Sequence, residues 1–262
     1  MSSSKKIYFA SDFHLGAPTY ELSLLREKNI CAWMDKIQPT CEALYLVGDI
    51  FDFWFEYKYT IPKGFTRILG KIASFTDSGI PVHVFTGNHD MWIFDYLPKE
   101  LGIQLYRSPV THILQGKKIF IGHGDGLGPG DFNYKRLKKI FESPVAQFFF
   151  GILHPTLGIG LADFLSKRSR AKSGHLDEQF LGEENEWLVQ YAKEQQFSNP
   201  VDYYLFGHRH LPLQIPISSD SMYYNIGDWI KYNTYGVLEN GQFTLYQWGG
   251  VEKKYEFIVP EN

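Results

Sequence analysis

Five short apolar runs constrain this chain more than any other feature, because each closes on a residue type that binds metal ions. KIYFA (6–10) runs into Ser11-Asp12-Phe13-His14, and ALYLV (43–47) into Gly48-Asp49-Ile50-Phe51-Asp52. VHVF (82–85) runs into Thr86-Gly87-Asn88-His89-Asp90, KIFI (118–121) into Gly122-His123-Gly124-Asp125, and YYLF (203–206) into Gly207-His208-Arg209-His210. Continuous apolar runs of four or five residues suit strands that are buried on both faces. Helical patterns over 20–37, 65–75 and 177–192 separate several of them; Leu22, Leu25, Trp33 and Ile37 make the apolar positions of the first. Strands alternating with helices predict βαβ units and a largely parallel sheet. After His210 the pattern changes: LQIPI, MYYNI, TYGVL, QFTLYQW and KYEFIVP read as closely spaced strands of an antiparallel half beside the first.

In open α/β sheets, functional groups collect beyond the carboxyl ends of the strands. One sheet edge could therefore gather Asp12, His14, Asp49, Asn88, His123, His208 and His210. Carboxylate, amide and imidazole groups without a thiolate suit borderline or moderately hard divalent ions. The expected centre is dinuclear, since Gly-His-x-His alone can aim two imidazoles at two different ions. The two cysteines, Cys31 and Cys41, stand apart from every His cluster and are expected to be buried thiols of a reducing compartment. The 262 residues suffice for one domain with a core that needs no disulfides. A formal charge of −3 argues against nucleic acid as a partner. The N-terminus lacks the long apolar core of a secretory signal, so a cytoplasmic location is expected.

Residues 126–206 separate the fourth motif from the fifth, far more than one crossover helix requires. This insert carries a basic helical pattern at 134–141, then 20 residues without Asp, Glu, Lys or Arg (143–162), then Lys167-Arg168-Ser169-Arg170-Ala171-Lys172-Ser173. Between Lys135 and Lys172, eight Lys or Arg face two Asp or Glu, a local +6 that leaves −9 for the rest of the chain. An apolar patch with a basic rim suits anionic lipid headgroups or an amphiphilic substrate. The competing reading is a buried helical hairpin with a solvated basic rim.

The motif series resembles the calcineurin-like metallophosphoesterases and covers residues 12–210. The resemblance implies an α/β fold, a four-layer α-β-β-α sandwich, here one domain over 1–262 with 131–175 as an inserted helical cap. It implies that one ion is held by Asp12, His14, Asp49 and His210. The other is held by Asp49, Asn88, His123 and His208, with Asp49 bridging. His89 is then placed to stabilise the transition state or protonate the leaving oxygen, or else to hydrogen-bond Asp52 or another carboxylate. Asp52 and Asp125 would orient ligand histidines. With His123 and His208 on one ion, a single membrane span at 143–162 is excluded, because it would put them on opposite sides of a bilayer.

A narrower resemblance rests on Gly-Asp-Ile-Phe-Asp-Phe-Trp (48–54), Gly-His-Gly-Asp (122–125), the basic-apolar-basic insert, Gly-His-Arg-His (207–210) and Ile-Gly-Asp-Trp (226–229). These look like the UDP-2,3-diacylglucosamine pyrophosphohydrolases of lipid A synthesis. That group implies hydrolysis to UMP and 2,3-diacylglucosamine 1-phosphate and dependence on manganese, although Fe, Zn or Co would suit the same ligands. It also implies a peripheral site on the cytoplasmic face of the inner membrane and a cap that binds acyl chains. No protein partner is indicated. The chain departs at His89, where the best-known branch has Arg. The substrate contacts implied are Asn88, His89, Asp131, Arg170, Ser173 and His208. His154 and His175 lie in the insert and are further candidates, whereas His83 and His112 read as structural. Phe53, Trp54, Phe55 and Tyr57 would stack on a base, line an acyl groove or simply pack a long loop. The alternatives are a soluble phosphodiesterase or phosphatase for nucleotides or phosphoproteins, and a non-enzymatic scaffold on the same fold.

Overall fold

The computed structural model describes residues 5–129, 132–162, 164–166 and 179–256. Four of the five apolar runs start βαβ-type connections. β1 (Lys6–Ala10), β2 (Cys41–Val47), β3 (Val82–Phe85) and β4 (Gln104–Tyr106) pair in parallel, joined by α1 (Tyr20–Ile37), α2 (Thr66–Asp77) and α3 (Tyr96–Leu101). A second sheet holds β5 (Val110–Leu114), β6 (Lys117–Gly122) and β7 (Tyr203–Phe206). The strands after His210 do not form a half of their own. β8 (Leu213–Ser218) and β9 (Ser221–Asn225) complete the second sheet, in the order β5-β6-β7-β9-β8. β10 (Thr234–Glu239), β11 (Gln242–Trp248) and β12 (Glu252–Lys254) extend the first by antiparallel pairing of β10 with β1.

Alternation along each strand builds three cores from two sheets. On β1, Tyr8 and Ala10 face the helices α1 and α2, while Ile7 and Phe9 face the second sheet. On β2, Leu44 and Leu46 face the helices, and Tyr45 and Val47 the second sheet. On β7, Leu205 faces the first sheet, while Tyr204 and Phe206 pack with Leu188 and Val189 of α7 (Trp187–Ser198). The result is the expected four-layer α-β-β-α order. The parallel strands β1, β2, β3, β6 and β7 are buried on both faces, which is why they carry no polar alternation.

Helix positions differ from the sequence pattern in instructive ways. α1 spans the expected residues, but Leu22 and Leu25 are exposed; its buried stripe is Glu27, Ile30, Trp33, Met34 and Ile37. Glu27 is buried because Oε1 accepts the Arg67 and Ile68 amides in the first turn of α2, where a carboxylate meets the positive end of the helix dipole. α7 begins at Trp187 rather than 177. Cys41 is buried and Cys31 half-buried, both as free thiols.

The insert forms α4 (Phe132–Phe141), α5 (Pro144–Ile152) and α6 (155–162). It is not a buried hairpin. α5 has no buried residue, and Phe148 and Phe149 are 65% and 64% exposed. Val145, Ile152, Leu157 and Leu161 also face solvent. No helix among the described residues is long and apolar enough to cross a membrane.

His83 and His112 belong to the packing between the sheets. His83 stacks on Tyr45 with ring centroids 4.2 Å apart, and its Nδ1 lies 3.1 Å from the Tyr106 hydroxyl. The Tyr45 hydroxyl is 2.9 Å from Nδ1 of His112, which sits on β5 rather than in a turn. Burial, with the neighbouring His112, pushes His83 down from 6.5 to about 4. Between those values the unfolded chain binds a proton that the folded one does not, so stability is expected to fall as pH drops through this window. Urea unfolding at pH 7 and pH 5 should give a smaller decline for His83→Gln than for the native protein; equal declines would exclude His83 as the cause.

Candidate metal centre

Parallel pairing within each sheet puts the carboxyl ends of β1, β2 and β3 on one edge, and those of β6 and β7 on another. Stacking of the two sheets joins the edges. Asp12 and His14 follow β1, Asp49 follows β2, Asn88 and His89 follow β3, His123 follows β6, and His208 and His210 follow β7. Among the described residues nine non-glycine residues have positive φ, and Asp12, His14, Asp49, His208 and His210 are five of them. A left-handed backbone is unfavourable for such residues, and its concentration here marks a site where geometry outweighs local preference. The glycines give room as well as turns. A Cβ on Gly87 would collide with the Asp49 carboxylate, and one on Gly48 (φ +87°) with the His123 ring.

Three groups of ligand atoms lie within 4.8 Å of one another: Asp12, His14 and His210; His14, Asp49 and His89; Asp12, Asp49 and His123. His210 Nε2 is 3.3 Å and His14 Nε2 3.7 Å from Asp12 Oδ1, and the two ring nitrogens are 3.1 Å apart. Asp49 Oδ2 lies 3.2 Å from His123 Nε2 and 3.6 Å from His14 Nε2. The Asn88 amide oxygen lies beside the Asp49–His123 pair, 3.0 Å from His208 Nδ1 and 3.3 Å from His123 Nε2. Asp12 Oδ1 is buried and makes no hydrogen bond. Such an atom is costly unless a cation completes it. Spacings near 3 Å are those of ligands sharing an ion at roughly 2.1 Å each. The donor set therefore fits divalent metal ions.

The electrostatics agree. Burial pushes the Asp12 carboxyl up, but His14 and His210 outweigh it and hold the group well below the usual range. Burial likewise pushes the Asp49 carboxyl up, but His123 and His89 outweigh it and hold the group below the usual range. Burial works against the charged form of His123, yet Asp49 holds it up to about 10. Burial, reinforced by His123, pushes His208 down to about 4. Two buried carboxylates thus demand positive charge beside them.

Further residues hold the ligands in place. His123 Nδ1–H donates to the Val47 carbonyl (2.8 Å), which leaves Nε2 facing Asp49. Asp52 Oδ1 lies 3.4 Å from His14 Nδ1, in the orienting position expected for it. Asp125 does not take that position. Its Oδ2 accepts from the Tyr134 hydroxyl (2.6 Å) and Lys138 Nζ (2.7 Å), tying the fourth motif to α4 of the insert. His89 Nδ1 bonds Asp52 through its backbone carbonyl (2.9 Å) and lies 3.9 Å from its carboxylate Oδ1.

Three contributors stand in the sequence motifs without a role assigned to them. Asp228 Oδ2 lies 3.5 Å from His210 Nδ1. It was findable: MYYNI-Gly227-Asp228 repeats the strand-Gly-Asp pattern, and β9 runs parallel to β7. Asp90 accepts the Gly87 and Ile50 amides at 2.7 and 2.8 Å and so ties the second motif to the third; burial and Asp49 push it up to about 7. Arg209 is fully buried between the two histidines of its motif, forked onto Glu186 at 3.0 and 2.9 Å and lying over Trp187. No local signal marks that pair.

The aromatics after Asp52 pack the loop. Trp54 is fully buried on Phe51, and Phe53 and Phe55 meet Phe150 of α5. Among the implied substrate contacts, Asn88, His89 and His208 line the centre, whereas Asp131, Arg170 and Ser173 lie outside the described residues, as does His175. His154 is exposed at the turn before α6.

Residues 5–212 match the family of calcineurin-like phosphoesterases. A UDP-2,3-diacylglucosamine hydrolase of Porphyromonas gingivalis is 38% identical over 252 residues, which covers 92% of this chain and 96% of that protein. One of Vibrio vulnificus is 32% identical over 142 residues (54% and 56%), and one of Haemophilus influenzae 27% identical over 246 residues (91% and 98%). The chain belongs to the calcineurin-like phosphoesterases and is a metal-dependent hydrolase.

Arg209→Met should leave the buried Glu186 carboxylate unpaired and cost about 3–5 kcal/mol. Chemical denaturation checks this, and adding Glu186→Leu should recover much of the loss. Recovery that fails to appear would mean the pair does more than satisfy its own charges.

Proposed function

We propose that the chain hydrolyses the pyrophosphate of UDP-2,3-diacylglucosamine, releasing UMP and 2,3-diacylglucosamine 1-phosphate. The observation that carries this reading is the near full-length relationship to a UDP-2,3-diacylglucosamine hydrolase. The exposed apolar helices beside a hydrolytic centre support it, because they suit a substrate with both a phosphate and acyl chains. In this reading Asp12, His14, Asp49 and His210 hold one ion and Asp49, Asn88, His123 and His208 the other. When bound, such ions lower the pKa of water and offset charge on the phosphoryl oxygens. Manganese is the proposed metal, and the oxygen and nitrogen ligands would also accept Fe, Zn or Co.

The chain's own residues then divide the remaining work. Asn88 contributes a neutral oxygen, which limits repulsion of an anionic phosphate. With its Nδ1 proton on the Asp52 carbonyl, His89 offers Nε2 to the transferring phosphoryl group or its leaving oxygen. Asp52 and Asp228 orient His14 and His210. His208, Asp131, Arg170 and Ser173 complete the proposed substrate contacts, with the segment 131–175 as the cap.

Manganese-loaded protein should release UMP from UDP-2,3-diacylglucosamine, a chelator should stop it, and Asp49→Ala should lower the rate more than Asp12→Ala because Asp49 serves both clusters. Cleavage of bis(p-nitrophenyl) phosphate without UMP release would support the general phosphodiesterase instead. We also propose that α5 and α6 seat the protein peripherally on an anionic membrane face in the cytoplasm. Flotation with phosphatidylglycerol-containing vesicles should be lost in Phe148→Asp/Phe149→Asp; flotation that persists in that variant would exclude these helices as the anchor.

A further inference from the structure

Among the described residues the insert meets the rest of the chain by packing and by polar contacts, including Tyr134 and Lys138 on Asp125. Trp92 Nε1 donates to the Phe141 carbonyl (2.8 Å), and the Trp92 and Phe55 rings meet Phe150 with centroids 4.7 Å from it. A further polar contact reaches the groups beside His14 and His89. Helical residues 164–166 carry the insert to the metal centre, where the Ser166 hydroxyl reaches two polar groups at once. Ser166 Oγ donates to Asp52 Oδ2 at 3.0 Å. The same oxygen lies 3.3 Å from Nδ1 of His89.

The chemistry of those three groups fixes where the protons go. The Asp52 carbonyl only accepts, so His89 Nδ1 carries the hydrogen of their 2.9 Å bond. The Ser166 proton is directed to the Asp52 carboxylate, and its lone pair then faces the His89 N–H. Asp52 in turn lies against His14 through Oδ1. A single hydroxyl on the insert thus touches the residue that orients His14 and the imidazole proposed to meet the phosphoryl group.

We infer that Ser166 is a positioning residue, which fixes the ring of His89 and the carboxylate of Asp52 when the insert is seated over the centre. The proposal rests on the hydrolytic reading above for what His89 does, but not on the identity of the substrate. It predicts a loss in turnover rather than in substrate binding. Removing a partner that orients an active-site group costs about 10- to 100-fold, and an interaction that matters in the transition state lowers kcat more than it raises KM.

Ser166→Ala and Ser166→Thr test this in the manganese-loaded full chain, on UDP-2,3-diacylglucosamine and on bis(p-nitrophenyl) phosphate. Ser166→Ala is expected to lower kcat by about 10- to 100-fold on any substrate the native enzyme cleaves, with KM within about threefold. Ser166→Thr, which keeps the hydroxyl, should restore most of it. Spectra of protein labelled with ¹⁵N-histidine and loaded with diamagnetic zinc supply a readout apart from turnover: the His89 Nδ1 signal should be alike in the native and Thr proteins and shifted in Ser166→Ala. A kcat within twofold of native in Ser166→Ala, equal losses in both variants, a loss confined to KM, or an unchanged His89 signal would each overturn the proposal. Failure of the native enzyme on the UDP substrate, with the diester still cleaved, would overturn the substrate reading and leave the Ser166 comparison decisive on the diester.

Discussion

Two carboxylates, Asp12 and Asp49, are almost completely buried where the two sheet edges meet. The cost of removing them from water is the constraint that the rest of the site answers. Backbone amides offset part of it: the His208 amide donates to Asp12 and the His89 amide to Asp49. Each amide belongs to a loop from a different strand, so satisfying one carboxylate also ties two motifs together. Ser11 adds a donor to Asp12 Oδ2, which leaves Oδ1 pointing at His210 and His14. Asp12 thus has one oxygen for the protein and one for a cation, a division that an ordinary buried ion pair would not require.

Holding those loops so close forces five candidate ligand residues into left-handed backbone. At roughly 1–3 kcal/mol each, that strain persists only where surrounding structure over-determines it. The three apolar layers provide the rigidity, since every strand that delivers a ligand is packed on both faces. Arg209 continues the same logic into the loop. Its guanidinium is fixed by Glu186 at the start of α7, and that helix is itself fixed by Leu188 and Val189 in the third core. The two histidines on either side of Arg209 are therefore positioned from the far side of the second sheet.

Much of this was legible because a metal site restricts residue types and strands restrict where they lie. The runs ending at Ala10, Val47, Phe85 and Phe206 became strands ending at those residues. The seven named ligand candidates lie in the loops that follow those strand ends and the end of β6. Partners distant in sequence were not legible. Nothing near Arg209 specifies Glu186, and nothing near Asp90 shows that its carboxylate will reach Ile50. Strand pairing was the other gap. MYYNI and TYGVL have similar patterns, yet β9 joins β7 and β10 joins β1. A continuous apolar run shows that a strand has two buried faces without saying which neighbour it takes.

The insert shows how an extended apolar surface can be linked to buried chemistry without being part of the core. Its outer face keeps Phe148 and Phe149 exposed, while Phe150, next in sequence, turns inward onto Phe55 and Trp92. Those two aromatics belong to the loops that follow the second and third motifs. At its start the insert is held by Tyr134 and Lys138 on Asp125, beside the fourth motif, and near its end by Ser166 on Asp52. Movement of α5 would therefore bear on three of the loops that carry ligands. A molecule that covered the apolar face would bury surface worth roughly 25 cal/mol per Å², and the same contacts would transmit its presence to His89 and Asp52. The sequence of this segment also carries a surplus of basic residues, which would favour an occupant with an anionic group.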